Sequence, residues 1–185
     1  MPQWYDQLEA WCFGHRIWAT APVMLLLLLL AHPSSNSLCL GGIIVILGEA
    51  GRAWASGYIE KNACLATAGP YRFTRNPLYF FNSIIFLGFC LMANNPWAAV
   101  FGLLAFTIIY RPALRNEAAY MHRLFGEEFE RWASVVPLFL PRWTNYPSQG
   151  HYQCHLLLQH REHKNSLAML AGIAVFVAIW YLQQR

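Results

Sequence analysis

Five apolar stretches separated by polar connectors dominate the pattern of the chain. They cover residues 17–31, 37–58, 77–93, 97–110 and 166–182. Most lie near the short end of the ~17–25 residues that a transmembrane helix needs. The fourth reaches that length only by including Pro96 or the basic turn that follows Tyr110. The pattern therefore predicts about five transmembrane helices, of which the fourth is the weakest.

The composition excludes an ordinary soluble protein. Of the 185 residues, 57% are hydrophobic and 12% are charged, against about 25% charged in soluble domains. We predict an all-α fold, a polytopic membrane helix bundle forming one integral membrane domain over residues 1–185. Five scattered cysteines favour neither a disulfide framework nor a metal site; they are Cys12, Cys39, Cys64, Cys90 and Cys154. Nothing in the sequence predicts a nucleic-acid partner, and the oligomeric state stays open.

The positions of lysine and arginine predict the orientation of the bundle. The connectors at residues 32–36 and 94–96 contain neither residue, whereas the segments between spans two and three and between spans four and five are rich in arginine. Because cytoplasmic loops retain positive charge, the two arginine-rich segments are expected in the cytoplasm. Residues 1–16 predict an interfacial helix, and residues 142–165 a loop and juxtamembrane segment before the last helix at 166–182.

Two cytoplasmic segments hold the residues that could carry chemistry. The first is the turn Ala68-Gly69-Pro70-Tyr71-Arg72-Phe73-Thr74-Arg75-Asn76-Pro77-Leu78-Tyr79. Taken alone, it is either a re-entry loop whose Arg and Tyr side chains anchor at the interface, or part of a site. In the second segment, Glu117 falls on the apolar face of a predicted helix. This carboxylate either pairs with a nearby arginine or binds a cationic group.

A helical hairpin on the cytoplasmic surface completes this region. Gly126 ends the first helix, and Glu127 and Glu128 favour the start of a second one. An apolar stripe on the second helix runs up to Pro137 and consists of Phe129, Trp132, Ala133 and Val136.

Residues 51–141 resemble a family of integral membrane enzymes. The turn GPYRFTRNPLY, followed by NEAAYMHRLFG and VPLFLP in the same order, is similar to the isoprenylcysteine carboxyl methyltransferase and phospholipid methyltransferase superfamily. The resemblance implies S-adenosyl-L-methionine (SAM) as methyl donor at the cytoplasmic face, and a lipid or lipidated acceptor arriving from the bilayer. Two positions depart from the family pattern: Asn76 replaces a usual His, and Ala118 a frequent second Glu.

The resemblance also implies the site residues. Glu117 would bind the ammonium of SAM, Arg75 or backbone N–H groups near Gly69 its carboxylate, and Tyr71 or Tyr79 would form a wall. The expected cofactor-binding set is Gly69, Pro70, Tyr71, Arg75, Asn76, Tyr79 and Glu117, and the expected catalytic set is Arg75, Asn76, Arg115 and Glu117. The Rossmann-type GxGxxG signature is absent from the sequence, so the site is expected to be built from helix ends and loops.

The sequence does not identify the methyl acceptor, and only the chemical needs of a carboxylate and an amine favour one over the other. A carboxylate is nucleophilic at pH 7 and needs only a cation to hold it, for which Arg72, Arg111 and Arg115 are unranked candidates. An amine must lose a proton, for which Glu117 or His122 would serve. Because Asn76 cannot titrate, O-methylation of a carboxylate is favoured over N-methylation of an amine lipid. A non-catalytic scaffold of the same fold is the third alternative.

Two further clusters have competing interpretations. Glu49 and Arg52 lie one helical turn apart, as a structural ion pair or as a lining for the polar head of the acceptor. Histidines between His151 and His163 lack a standard metal-ligand spacing, so an interfacial helix is favoured there and no metal is expected.

Overall fold

The computed structural model describes residues 16–60 and 63–185, so the predicted interfacial helix at residues 1–16 lies outside this part of the chain except for Arg16. The described residues form helices and loops and contain no strand, which confirms the all-α prediction. Besides a 3₁₀ turn at Gly69–Arg72, the helices are α1 (Arg16–Leu29), α2 (Ser35–Ser56), α3 (Pro77–Ala93), α4 (Pro96–Phe125), α5 (Glu127–Val135), α6 (Cys154–Gln159) and α7 (Glu162–Gln183).

Three of these helices, α2, α4 and α7, are long and apolar enough to cross a membrane. Two shorter apolar helices, α1 and α3, complete the bundle. The 17 residues of α3 extend about 25 Å at 1.5 Å per residue, slightly less than a ~30 Å hydrocarbon core. The chain is therefore a polytopic helical membrane protein, and α3 has the predicted bounds.

The fourth helix differs from its prediction in length. Instead of ending at Tyr110, α4 continues through Pro112 to Phe125. The whole helix has 30 residues and is about 45 Å long. A proline removes one hydrogen bond and bends a helix without having to end it. The first arm of the predicted hairpin is thus the continuation of the fourth span, and α5 folds back from it at Gly126. The last helix, α7, begins at Glu162, four residues before the predicted 166.

One end of the bundle consists of two tight connectors. Ser34 caps α2 through a reciprocal pair of hydrogen bonds with Ser37, which satisfies N–H groups that the first helical turn leaves free. The Asn95 side chain donates to the carbonyl of Leu30 at 2.8 Å, and the His32 N–H donates to the carbonyl of Ala93 at 2.9 Å. We call this end the connector end.

Two glycines bring α2 and α3 into close contact. A Cβ on Gly41 would lie 2.6 Å from the carbonyl oxygen of Gly88, and a Cβ on Gly88 would lie 2.8 Å from the carbonyl oxygen of Gly41. Small residues of this kind allow two membrane helices to pack backbone against backbone. The apolar cluster around this contact includes Val45, Phe89 and Phe176.

The opposite end carries the arginine-rich segments, and we call it the loop end. Its apolar cluster joins Ala55 of α2, Tyr71 of the 3₁₀ turn, and Phe129 and Trp132 of α5. The hairpin of α4 and α5 therefore packs over the turn that sequence analysis selected.

Candidate active site

The turn at residues 67–76 has a fixed shape because a second segment is hydrogen-bonded along it. Gly69 adopts φ +57°, and a Cβ at this position would lie 2.4 Å from the Tyr58 ring, so both backbone and packing require glycine there. Residues 137–149, which we call the strap, lie along the turn. The Arg75 N–H donates to the Pro137 carbonyl at 2.9 Å, and the Asn76 side-chain amide donates to the Leu138 carbonyl at 3.0 Å.

The two arginines of the turn have different surroundings. The Nε of Arg72 donates to the Thr144 carbonyl at 3.0 Å, and its guanidinium lies 5.6 Å from the Trp143 ring centroid. Arg72 therefore fastens the strap. The Nε of Arg75 is buried and has no hydrogen-bond partner among the described residues. Burial lowers the pKa of Arg75 from its usual value, although a guanidinium remains charged in proteins.

A cavity of about 410 Å³ opens beside the turn and the hairpin. Five of the residues expected in the site line it: Tyr71, Arg75, Asn76, Tyr79 and Glu117. They come from the 3₁₀ turn, the loop after it, the start of α3 and the middle of α4. The structure thus brings together two segments that are about 40 residues apart in the sequence.

Three of the expected residues lie outside this lining. Gly69 and Pro70 belong to the 3₁₀ turn and shape it without being part of the cavity wall. Arg115 is exposed on α4. Because positions two apart on a helix do not share a face, Arg115 points away when Glu117 points in.

Three side chains that line this cavity carry buried hydrogen-bond donors. Among the described residues, the Tyr71 hydroxyl, the Arg75 Nε and the Trp132 Nε1 have no hydrogen-bond acceptor, and all three side chains line the cavity. Leaving such groups unpaired costs about 1–3 kcal/mol each. Burial raises the pKa of the Tyr71 hydroxyl well above its usual value, with a further contribution from Glu117. The hydroxyl therefore stays protonated. The cavity is suited to a ligand rich in hydrogen-bond acceptors.

Two carboxylates add negative charge to the wall. Glu117 forms no ion pair with any residue in the described part of the chain, so the predicted alternative of a structural pair with an arginine is not found. Glu60 also lines the cavity, where the Gln153 side-chain amide donates to it. An unpaired carboxylate on a partly apolar wall is suited to bind a cation.

Trp132 and Glu60 are among the cavity residues to which sequence reasoning assigned no role in the site. Trp132 was expected only in an apolar stripe, although a buried indole N–H usually needs a partner. Glu60 follows the second span with no motif around it. Arg52 was expected either to form an ion pair with Glu49 or to line the site for the polar head of the acceptor; it pairs with Glu49 at 3.2 Å and also lines the cavity.

Comparison with known proteins agrees with this arrangement. The profile of the phospholipid methyltransferase family matches residues 35–128, which include both segments that face the cavity. The chain belongs to the phospholipid methyltransferase family. Members of this family act as membrane methyltransferases, and the helical bundle described above fits that class.

Two curated relatives are similar over most of the chain. One is the cobalt-zinc-cadmium resistance protein CzcN of Cupriavidus metallidurans, 32% identical over 92% of this chain and 74% of its own length. The other is the nickel-cobalt-cadmium resistance protein NccN of Alcaligenes xylosoxydans xylosoxydans, 30% identical over 93% of this chain and 86% of its own length. No solved structure matches this phospholipid methyltransferase family member significantly.

Proposed function

We propose that the chain is a SAM-dependent methyltransferase that transfers a methyl group to a lipid or lipidated acceptor, with a carboxylate as the preferred acceptor. The observation that carries the proposal is a cavity lined by Glu117 and by three side chains whose buried donor atoms have no partner among the described residues. Family membership supports methyl transfer.

The cavity residues complement each part of SAM. Glu117 would accept hydrogen bonds from the ammonium group, and charge-assisted bonds of this kind are short and strong. Arg75 would bind the carboxylate through its buried Nε. Trp132 and Tyr71 would donate to the ribose or adenine, and their rings, together with that of Tyr79, would pack against the sulfonium as cation–π partners.

SAM supplies a methyl group on a positively charged sulfur, and attack on this carbon leaves the electrons of the broken C–S bond on sulfur. The contribution of the protein is alignment and the exclusion of water. A carboxylate acceptor forms its new O–CH₃ bond with a lone pair and releases no proton. This agrees with Asn76, which cannot titrate and whose amide is already bonded to Leu138.

N-methylation of an amine lipid is the second candidate, and the name of the matched family favours it. An amine is mostly protonated at neutral pH, so a base must remove its proton. His122 is exposed, lies outside the cavity lining, and its Nε2 is 2.6 Å from the Glu130 carboxylate. Glu60 and Glu117 would therefore be the bases available for this reaction.

The position of the cavity supports a reaction at the cytoplasmic face. It lies at the loop end, where the arginine-rich segments lie, and the connector end carries neither lysine nor arginine in its two turns. Under the positive-inside rule the loop end is cytoplasmic, and the acceptor enters from the bilayer.

The relatives named for metal resistance suggest a physiological setting. We propose that a contribution of this chain to metal tolerance runs through methylation of a membrane component. Cells carrying Glu117→Ala would then lose tolerance to cobalt, zinc or cadmium as fully as cells without the gene. If this variant retained metal tolerance, the contribution to tolerance would not depend on methylation.

The direct test uses membranes containing the protein and SAM labelled in its methyl group. We expect label in the lipid-soluble fraction that depends on Glu117, with Glu130→Ala as the matched control because Glu130 is exposed and outside the cavity. Release of the label as methanol by mild base identifies a methyl ester, whereas base-stable label identifies N-methylation. Purified protein that fails to bind SAM would indicate a non-catalytic scaffold and overturn the proposal.

A further inference from the structure

A second cavity lies inside the bundle next to the first. It also measures about 410 Å³ and is lined by residues of α1, α2, α3, α4 and α7. Most of its wall is apolar, with Met24, Phe86, Phe89, Phe106 and Met169 among the lining side chains. Pockets of ~300–1,000 Å³ with apolar walls and a few polar groups are typical of small-molecule sites.

The two cavities share two lining residues, Arg52 and Asn82. These side chains therefore form the boundary at which a molecule in the second cavity would meet a molecule in the first. Both lie outside the short motifs at residues 69–79, 116–126 and 136–141, although they fall within the region that resembles the family.

Arg52 is held in one orientation by two carboxylates. Its Nε donates to Glu49 at 3.2 Å, and its Nη2 donates to Glu162 of the last helix. Both carboxylates have further partners, since the Ser166 hydroxyl donates to Glu49 at 2.7 Å and the Asn165 amide donates to Glu162 at 3.5 Å.

One side of the guanidinium remains available to a ligand. The Nη1 of Arg52 donates to no residue in the described ranges 16–60 and 63–185, and Arg52 is the lining cation common to both cavities. Because Nε and Nη2 are already held by the two carboxylates, the planar guanidinium can present the N–H groups of Nη1 to a ligand with little loss of side-chain entropy. Glu49 and Glu162 hold it in this orientation, although they do not line either cavity themselves.

We propose that Arg52 binds an anionic oxygen of the acceptor at the boundary between the two cavities, and that Glu49 and Glu162 are positioning residues that orient its guanidinium. The apolar part of the acceptor lies in the second cavity. The inference rests on the proposed function, because it identifies how the acceptor of the methyl group is held. It assigns a specificity role to the last helix, which lies outside the matched residues 35–128.

The group that Arg52 would bind is an anionic oxygen, which could belong to a carboxylate or to a lipid phosphate. A carboxylate on Arg52 would itself receive the methyl group, whereas a lipid phosphate on Arg52 would anchor a head group whose amine receives it. In both cases the ligand is an anionic amphiphile.

Photocrosslinking tests the proposal without requiring methyl transfer. Three probes of equal chain length carry a diazirine near the end of the alkyl chain: a fatty acid, an alkyl phosphate and an alkylamine. With the full-length protein in membranes, we expect capture of at least one anionic probe on second-cavity residues such as Phe86 or Met169. Preferential capture of the fatty acid indicates a carboxylate, and preferential capture of the alkyl phosphate indicates a lipid phosphate.

Variants separate binding from structural roles. Arg52→Gln is expected to reduce capture of the anionic probe at least fivefold while amine capture stays within twofold. Arg52→Lys keeps the charge and should restore capture in part, and Glu162→Gln should reduce it two- to threefold. Arg123→Gln is the matched control because Arg123 is exposed and lines neither cavity.

Three results would overturn the inference. They are capture of no anionic probe, unchanged capture in Arg52→Gln, or an equal loss of anionic and amine capture in that variant, which would mark Arg52 as purely structural. Failure of the proposed function appears separately, as absence of SAM binding or methyl transfer in the unaltered protein that still captures the probe.

Discussion

The two ends of the bundle differ in how their polar groups are satisfied. At the connector end, Ser34, Ser37 and Asn95 hold the turns through hydrogen bonds within the protein. At the loop end, Tyr71 and Trp132 are as buried as core residues, yet their polar atoms lack partners among the described residues. Since unpaired buried donors are costly, we infer that the connector end contributes mainly to stability and the loop end to the proposed binding of a ligand.

Arg72 and Arg75 show the same contrast within one turn. Three positions apart, one is bonded to Thr144 in the strap and the other presents a buried Nε to the cavity. Residue type alone did not separate them. What separates them is the strap, which supplies a carbonyl to Arg72 and none to the Nε of Arg75.

The largest effect is expected from Glu117→Ala at the loop end. It removes the carboxylate proposed to bind the ammonium of SAM, and such charge-assisted hydrogen bonds contribute about 2–3 kcal/mol, or about 30- to 150-fold in Kd. Equilibrium dialysis of labelled SAM with the purified protein measures this change. The unfolding temperature should stay close to that of the unaltered protein, because Glu117 is in no ion pair among the described residues.

Glu130→Ala provides the control for this measurement. It also removes a carboxylate, but one that is exposed and paired with His122, so the Kd for SAM should change less than twofold. Equal weakening by both substitutions would show that general charge, rather than the cavity, attracts SAM.

Gly88→Ala, which lies toward the connector end, is expected to lower stability and to leave SAM binding unchanged. The new Cβ would lie 2.8 Å from the Gly41 carbonyl oxygen, so α2 and α3 must separate, at a cost of about 1–3 kcal/mol in the free energy of unfolding. Thermal unfolding in detergent measures the loss. The Kd for SAM of the folded fraction should remain within twofold.

Gly42→Ala is the matched control for Gly88→Ala. Gly42 follows Gly41, the residue that Gly88 contacts, but it lies outside the close contact between α2 and α3. No atom lies within 4 Å of a Cβ at Gly42, so stability should stay the same or rise slightly, since alanine favours helix. If both alanine variants unfolded at the same temperature, close packing at Gly88 would not be what stabilises this end.

Much of the fold was predictable because a bilayer imposes long apolar helices. The bounds of α3 were predicted correctly, and those of α2 within two residues. The largest difference is in α4, because Pro112 and Arg111 are typical of a helix end in sequence, whereas the helix continues beyond them and packs against Phe129 and Trp132 of the hairpin. Local patterns do not contain such tertiary contacts.

The site was predictable where a motif carries it. Tyr71, Arg75, Asn76, Tyr79 and Glu117 all line the cavity, and the family resemblance had grouped them as one expected site. Arg115 shares the motif but not the helix face. Trp132 was missed because its proposed role depends on an indole N–H that has no partner among the described residues. The contact between Arg52 and Glu162 was missed because the two residues are 110 positions apart in the sequence.

A smaller effect is expected from Trp132→Phe, which removes one N–H and keeps most of the ring. If Nε1 donates to SAM, the loss is about 1 kcal/mol, or about fivefold in Kd. Stability should not fall, because the donor removed has no acceptor in the described part of the protein. Trp143→Phe in the strap is the control, since Trp143 is exposed. A destabilised Trp132→Phe protein with unchanged SAM affinity would place this residue with the structural core.

The smallest effect concerns Cys64, an exposed thiol at the rim of the cavity. Burial raises the pKa of this thiol above its usual value, and the negative charges of Glu60 and Glu128 add to the shift. Since the thiolate is the reactive form, alkylation should be slow at pH 7 and should rise with pH to a midpoint above that of an ordinary cysteine. Bound SAM should slow the reaction several-fold by covering the rim.

Cys154, which is exposed and outside the cavity lining, reports on general access. Mass spectrometry after timed alkylation at several pH values follows both thiols in one sample. Protection of Cys64 alone would locate SAM in the first cavity without any assay of methyl transfer. Equal protection of both cysteines would instead indicate a change across the whole loop end, and the contrast between a binding end and a structural end would then need a different explanation from local occupancy.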